Sequence, residues 1–597
     1  MYKLFFFIFF LLFFCSASFT KANDRVYLKI LNEEGHSVSP DDLNLEKSYQ
    51  HINLLKQALS RSLSDFYGDG YLTATFDDFT VEDDTASVVF ISGETFKWIK
   101  LSFDETDPFL MSNLRIREHQ FEDNVFNPAR FQRLIDRILR FSEQNGYPFA
   151  KVKLDSVEIE NNSISAQLIY EKNNLILYDT IELLGEPRIH KNYLSNYLNI
   201  KEGRVYDERA VKQVGRRLRD LPFIEIISEP VVFFTNEKAR LVLQLRNRNA
   251  SRFNFLVGVL PNNEITGRAV ITGEANLELM NPFGRGSRLY LDWQRLQART
   301  QNLEVHFQYP YLLGLPFGID VEFELYKRDT LYLDLHRELG IQYLMGGNNY
   351  LEAFVRNSST NILSVDTQQI LQSRSLPSRL DRSENIYGLK LNYEALDYRF
   401  NPTRGWASFL EGAIGLRNIV RNNTIVNIND PENPGENFEF LYSDKEDATI
   451  NYRIKYHLRR FWNPAHRFVI KTGMRGGVIF SNDDLLENEL FIIGGNRILR
   501  GFDEASIFTS NYHLFTLELR YILETNSYAY LFADGAFLEN PLREDPFKRD
   551  YPFGFGAGLT FETAAGIFGV SYALGRQLEN PIEFRNGKIH FGYRNYF

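Results

Sequence analysis

From about Arg252 to the C-terminus, apolar and polar residues alternate with a period of two. In Phe317 to Leu325, the apolar Phe317, Ile319, Val321, Phe323 and Leu325 are separated by Gly318, Asp320, Glu322 and Glu324. Ile450, Tyr452, Ile454, Tyr456 and Leu458 alternate in the same way with Asn451, Arg453, Lys455 and His457, and Tyr387, Leu389, Leu391 and Tyr393 with Gly388, Lys390 and Asn392. Successive side chains of a strand point to opposite faces, so each stretch predicts a strand with one apolar and one polar face. The connections are asymmetric. Tight turns at Asn281-Pro282-Phe283-Gly284, Gly346-Gly347-Asn348, Asn401-Pro402-Thr403-Arg404-Gly405 and Asn463-Pro464 alternate with long polar stretches near 359–383, 419–447 and 481–510. A soluble sandwich buries its apolar face on a second sheet and turns tightly at both ends. A membrane barrel turns tightly at one rim and carries long loops at the other. Residues 250–597 are therefore expected to form a transmembrane β-barrel of about 16 antiparallel strands, the first near Phe253 to Leu260 and the last near Lys588 to Phe597.

Ahead of this region the chain repeats. Gly70-Tyr71, Gly146-Tyr147 and Pro222-Phe223 each follow a helical stretch and recur every 76 residues. The spacing predicts three α+β modules at 23–97, 98–173 and 174–249. In the third, Tyr193, Leu194, Tyr197 and Leu198 share one helical face, and Val211, Val214, Leu218 and Leu221 share another. Strands are expected at Ile176 to Leu184, near Ile224 to Phe234 and at Ala239 to Arg246, giving the order β-α-α-β-β. In the second, Asn127-Pro128 reads as N-cap and first helical residue before Phe131, Leu134, Ile135 and Ile138. The first repeats the pattern with Ile52, Leu55, Leu59, Leu63 and Phe66, then strands near Leu72 to Thr80 and Ala86 to Ile91.

Residues 1–22 read as an export signal peptide, with Lys3 at the positive start, an apolar run from Leu4 to Phe14, and small residues at Ser16-Ala17-Ser18 or Thr20-Lys21-Ala22. The single cysteine, Cys15, lies inside it, and Phe14 stands where a lipoprotein signal wants a small residue, which disfavours lipidation. Removal of this segment leaves no thiol for a disulfide, a thiolate metal site or a Cys nucleophile. The chain holds 51 Phe and 32 Tyr beside only 4 Trp. A lipid-facing band with interfacial girdles accounts for that aromatic load. A net charge of -10 without a basic run argues against nucleic acid as a partner.

Enzyme signatures are missing. There is no His-Glu-x-x-His, Gly-x-Ser-x-Gly or phosphate loop, and the 10 histidines are dispersed, with His457 and His513 inside strands. Gly554-Phe555-Gly556-Ala557-Gly558 lies in an alternating stretch, where it frees lumen space rather than binding a nucleotide. No catalytic residue, metal or cofactor is expected.

Phe491-Ile492-Ile493-Gly494-Gly495-Asn496-Arg497-Ile498-Leu499-Arg500-Gly501-Phe502 resembles the Arg-Gly-Phe/Tyr loop signature of the BamA/TamA superfamily of bacterial outer-membrane assembly proteins, also known as the bacterial surface antigen family. Phe532-Ala533-Asp534-Gly535 resembles the aromatic-x-Asp-x-Gly strand that accompanies it, with Ala536 and Leu499 as small departures. Asn401-Pro402-Thr403-Arg404-Gly405, the terminal Phe597 and the three modules, similar to POTRA domains, extend the resemblance over nearly the whole chain. It implies a barrel whose sixth outer loop folds into the lumen, with Gly494, Gly495, Arg500, Gly501 and Phe502 as its motif, Arg500 as the tip and Asp534 as the acidic partner. Strand alternation adds Glu518 as a second contact, because Phe515, Leu517, Leu519 and Tyr521 would face lipid. Phe591, Tyr593 and Phe597 would form the C-terminal strand signal, and Asn595 interrupts that row at the seam with the first strand.

The function implied is insertion of proteins into the outer membrane or translocation across it. POTRA modules in the periplasm would capture extended clients, and the barrel seam would template strands. Three modules resemble the TamA type more than the five-module BamA type. The alternative is a two-partner secretion exporter that passes one polypeptide through the lumen. Expected partners are unfolded outer-membrane or secreted clients, outer-membrane lipids, and an inner-membrane or periplasmic protein at the modules.

Overall fold

The computed structural model describes residues 25–594 except 104–107, 123, 261–269, 298–299, 431–436, 446–447, 496–497, 504–505, 564–565, 579–581 and 583–586. The signal peptide, Cys15, Asn595 and Phe597 lie outside the described residues. The chain divides into two compact units, Met1–Leu177 with Val205–Glu208, and Tyr178–Arg204 with Arg209–Phe597.

The first unit holds two modules. In the first, Val26–Leu31 pairs in parallel with Thr85–Ile91, which pairs antiparallel with Thr75–Glu82. Helix Ile52–Gly68 covers this sheet, burying Leu55 and Leu59 among Ile30, Val88 and Phe90. The second repeats the plan: Lys97–Ser102 runs parallel to Ser163–Glu171, which pairs antiparallel with Lys151–Glu160. The Asn127 side chain accepts from the Arg130 N–H at 2.7 Å and Pro128 opens helix Pro128–Gln144, as the cap signal predicts. Leu134 and Ile138 of that helix pack on Trp98, Leu101 and Leu168. The sheet starts at Lys97, one residue before the boundary expected from the repeat.

The repeat glycines have a shared conformation. Gly70 and Gly146 have φ of +94° and +92°, and a Cβ on either would stand 2.5 Å from a valine methyl, Val125 or Val205. The Gly70 carbonyl accepts from Phe96 N–H and the Gly146 carbonyl from Ile176 N–H, both at 2.8 Å. Each glycine ends one module's helix and begins the hydrogen bonding of the next.

The second unit opens with the third module. Its strand Lys238–Asn247 pairs in parallel with Glu182–Leu184 and antiparallel with Val231–Thr235 and Ile224–Ile226. The single strand expected at Ile176 to Leu184 is instead two short ones, Leu177–Tyr178 and Glu182–Leu184. Between them the Asp179 carboxylate turns to Arg240 Nε at 3.0 Å. Helices Lys191–Leu198 and Glu208–Arg219 bury Tyr193, Leu194, Tyr197, Leu198, Val214 and Leu218, the expected faces. This module rests on the barrel's short turns. Gly284 O accepts from His190 N–H at 2.8 Å, Tyr197 O from Gly347 N–H at 3.1 Å, and Leu396 O from Arg216 at 2.7 Å. Tyr193 sits edge-on to Tyr311 with ring centroids 5.6 Å apart.

The barrel sheet is antiparallel and has 17 members, of which Arg549–Asp550 is a two-residue insertion beside the directly paired Ser527–Glu539 and Phe553–Thr563. The remaining 16 are long strands in chain order, beginning with Arg252–Leu260 and ending with Lys588–Arg594. Among the described residues no helix is long and apolar enough to cross a membrane. Hydrocarbon offers no hydrogen-bond partners, so these backbone groups must pair strand to strand. The sides follow the alternation. In strand twelve, Asn511–Glu524, Phe515, Leu517, Leu519 and Tyr521 are exposed, whereas Leu514, Glu518 and Arg520 are buried. Aromatic pairs mark the inner boundary of the apolar band: Phe317 with Tyr343, Tyr393 with Trp406, and Phe468 with Tyr521.

One expected turn is misplaced. Asn463 and Pro464 belong to strand ten, Thr449–Ala465, and the chain reverses at His466-Arg467. The pairing with Phe468–Ser481 shifts register between Trp462 and Ala465, and such an irregularity accommodates a proline that has no N–H to donate.

Candidate functional site

The connection from strand eleven, Phe468–Ser481, to strand twelve carries the predicted loop motif. It forms a small hairpin, Phe491–Ile493 with Ile507–Thr509. Gly494 and Gly495 follow at φ of +117° and +88°, a backbone that L side chains adopt only with strain. Ile493, Leu499, Phe502 and Ile507 are buried together with Tyr512, Leu514, Ala536 and Leu538 of strands twelve and thirteen. The loop thus packs into the barrel interior by an apolar contact as well as a polar one.

Arg500 is the polar contact, and it is buried. Its Nε donates to Asp534 Oδ2 and a terminal nitrogen to Asp534 Oδ1, both at 2.7 Å, a two-pronged geometry. The other terminal nitrogen reaches Glu518 Oε2 at 3.1 Å, and the Arg500 N–H reaches Asp534 Oδ2 at 3.3 Å. The guanidinium also lies 3.7 Å from the centre of the Phe532 ring. Removing such charges from water costs several kcal/mol per ion, and the cost is offset only where the geometry satisfies both partners. Here every polar atom of the two carboxylates faces a donor.

Glycines give the loop tip its room. A Cβ on Gly554 would stand 2.1 Å from Arg500 O, and one on Gly575 would stand 2.5 Å from Gly501 O. Gly501, at φ of +94°, would place its own Cβ 2.8 Å from Leu574 backbone atoms. Of the Gly554 segment, Gly554 makes room for the loop, together with Gly575 on the next strand, whereas Gly556 and Gly558 face Tyr572, Phe532 and Tyr530 of the wall.

Lys471 and Arg520 were assigned no contact from the sequence, and Asn401 and Phe532 were named only within their motifs. Glu518 accepts from Lys471 Nζ at 3.1 Å and from Arg520 Nε at 2.7 Å. Arg520 continues to Asn401 Oδ1 at 3.0 Å, and Asn401 donates to Thr525 O at 3.0 Å. A continuous chain of charge-assisted bonds thus joins the Arg-Gly-Phe loop to the Asn-Pro-Thr-Arg-Gly turn at the inner rim. Alternation within strand twelve places Arg520 on the lumen side, which is the one signal that points to it.

A second cluster holds the base of the same loop. Arg417, buried in strand nine, Gly405–Ile419, reaches Glu489 at 2.8 Å and Asp483 at 2.7 Å. Arg382 donates to Asn488 O and to Glu384, both at 3.0 Å. The loop is therefore fixed at its tip and at its base. Elsewhere in the lumen, carboxylate oxygens of Asp320, Glu338 and Glu352 converge at cation-binding distance. Lys390 Nζ already pairs with Glu338 and lies 2.9 Å from Glu352, Arg356 lies 2.6 Å from Glu338, and Gln342 donates to Asp320 at 3.1 Å, so each of these carboxylates already has a partner within the protein. Phe591 and Tyr593 fall in the last strand, paired in register with Val570 and Phe568.

A family model described as the Omp85 superfamily domain matches residues 281–594. No curated protein sequence matches the chain. Among solved structures, CdiB from Escherichia coli is similar at 15% identity and a TM-score of 0.50, over 93% of this chain and 98% of that one. CdiB from Acinetobacter baumannii is similar at 13% identity and a TM-score of 0.49, over 92% and 97%. BamA from Haemophilus ducreyi lacking POTRA domains 1–3 is similar at 17% identity and a TM-score of 0.40, over 83% and 98%.

Proposed function

We propose, from the premise that this chain belongs to the Omp85 superfamily and is an outer-membrane β-barrel preceded by POTRA-like modules, that it assembles client proteins into the outer membrane without acting as an enzyme. Unfolded clients meet the three modules in the periplasm, and their strands are templated at the junction of Arg252–Leu260 and Lys588–Arg594.

The observation that carries this reading is the loop packed into the lumen. The loop tip is held by Arg500, Asp534 and Glu518, and the loop base by Arg417 and Glu489, so a polypeptide threading the barrel would have to displace two buried ion-pair clusters. A route along the edge of the sheet displaces neither. Its supporting observation is that, among the described residues, the sheet order runs from the first strand to the last with no pairing joining those two ends. Unpaired strand edges are templates for another chain.

Outer-membrane proteomics after depletion tests the function. Loss of many barrel proteins is the expected result, loss of a single secreted protein would favour an exporter, and an unchanged proteome would remove both readings. A disulfide locking the first strand to the last then tests the route, because activity retained in the locked barrel would exclude the seam.

A further inference from the structure

The inner rim is chemically lopsided. The turns that join Arg382–Leu396 to Gly405–Ile419, Thr449–Ala465 to Phe468–Ser481 and Asn511–Glu524 to Ser527–Glu539 expose Asp397, Arg399, Arg404, His466, Arg467 and Thr525, with Tyr398 and Phe400 half-buried. The turns that join Val270–Met280 to Arg288–Gln297, Thr300–Tyr309 to Phe317–Arg328 and Tyr332–Leu344 to Tyr350–Ile362 carry exposed apolar tips: Phe283, then Leu313 and Leu315, then Met345. Leu313 is the extreme case. Its side chain is 84% exposed and its backbone sits at φ +54°, ψ +20°, a left-handed conformation that costs a leucine strain. Water offers nothing in return for exposing an apolar side chain on a strained turn. The lipid-facing pair Phe317 and Tyr343 stands immediately above, so this tip continues the barrel's apolar band past its boundary.

Beside it lies a cavity of about 260 Å³ lined by His190, Tyr193, Arg285, Tyr311 and Leu313. Arg285 donates to Tyr309 OH at 3.2 Å, which orients an otherwise exposed guanidinium. A cation and an imidazole at the mouth of a small cavity, with leucines at its edge, match a phosphate group joined to acyl chains.

We propose that this sector of the inner rim inserts Leu313 and Leu315 into the facing lipid leaflet and holds a phospholipid phosphate between Arg285 and His190. The contact anchors the rim on the side where the third module rests, because the same turn carries Tyr311 against Tyr193. It does not depend on whether the barrel inserts clients or exports them.

The test uses the full-length protein with Cys15→Ser and one new cysteine, at Leu313, Leu315 or Thr403, bearing an environment-sensitive fluorophore. Each variant is reconstituted in phosphatidylethanolamine/phosphatidylglycerol vesicles containing a shallow doxyl-lipid quencher, and heat-modifiable gel migration reports its folding. Quenching about threefold stronger at 313 and 315 than at 403, with blue-shifted emission, is expected for apolar side chains below the headgroups. Equal, water-like emission at all three sites overturns the insertion. Arg285→Glu should reduce quenching at position 313 by about half, since it sets like charge against the phosphate. Unchanged quenching in that variant overturns the phosphate site.

Discussion

Arg500 and Asp534 meet edge to edge, each nitrogen–oxygen contact at 2.7 Å, although 34 residues of chain separate them. Their pairing joins a loop to a strand of the barrel wall. Removal of one partner from a buried pair leaves an uncompensated charge and costs about 3–5 kcal/mol. Arg500→Ala and Asp534→Ala are each expected to lower the temperature at which the folded barrel loses its compact gel migration and to slow growth where the protein is needed. Unchanged migration together with unchanged growth would contradict the anchoring role.

Glu518 stands among three cations, Arg500, Lys471 and Arg520. Glu518→Gln keeps the shape and removes the charge that holds them together, so it should loosen the loop tip and the Asn401 turn at once. Limited proteolysis of the reconstituted barrel should then cleave within 481–510 faster than in the parent protein, while cleavage rates in the first two modules stay constant.

Gly554→Ala places a methyl 2.1 Å from Arg500 O, whereas Gly412→Ala meets nothing within 4 Å. Overpacking of this kind costs about 1–3 kcal/mol, so the first substitution should destabilise the barrel in a denaturant titration and the second should not. Equal midpoints would mean that the loop does not occupy the space that Gly554 leaves.

Burial at the junction of the third module and the barrel mouth pushes the Asp220 carboxyl above its ordinary value, an effect that Arg399 and Arg216 only partly offset. A carboxyl raised on folding binds its proton more tightly in the folded state, so its contribution is fully favourable below the unfolded value and is lost as pH rises through the folded one. Asp220→Asn should therefore melt higher than the parent near neutral pH, with the gap closing as pH falls to about 4. A gap that is independent of pH would assign the effect to packing.

The barrel was legible because lipid and a polar lumen impose alternation on every strand, as in Phe515 to Tyr521. The Arg500 and Asp534 pair was legible through the loop's resemblance to a known motif, and Glu518 through alternation alone. The remaining contacts were not, because closure of the barrel brings together residues that no local pattern connects. Arg417 meets Glu489 across 72 residues, and Arg520 meets Asn401 across 119. Asn463-Pro464 misled for the opposite reason: its local signal is that of a turn, and the register shift in strand ten absorbs it.

The Gly70 carbonyl takes up the N–H of Phe96, the residue before the second module's first strand, so no free linker separates the first two repeats at this point. This pair of repeats is thereby quantised. Its reach can change by a whole repeat, with the handover bond rebuilt between new neighbours, but excising or adding a fraction of a repeat would strand a glycine whose left-handed turn and carbonyl have nothing to receive.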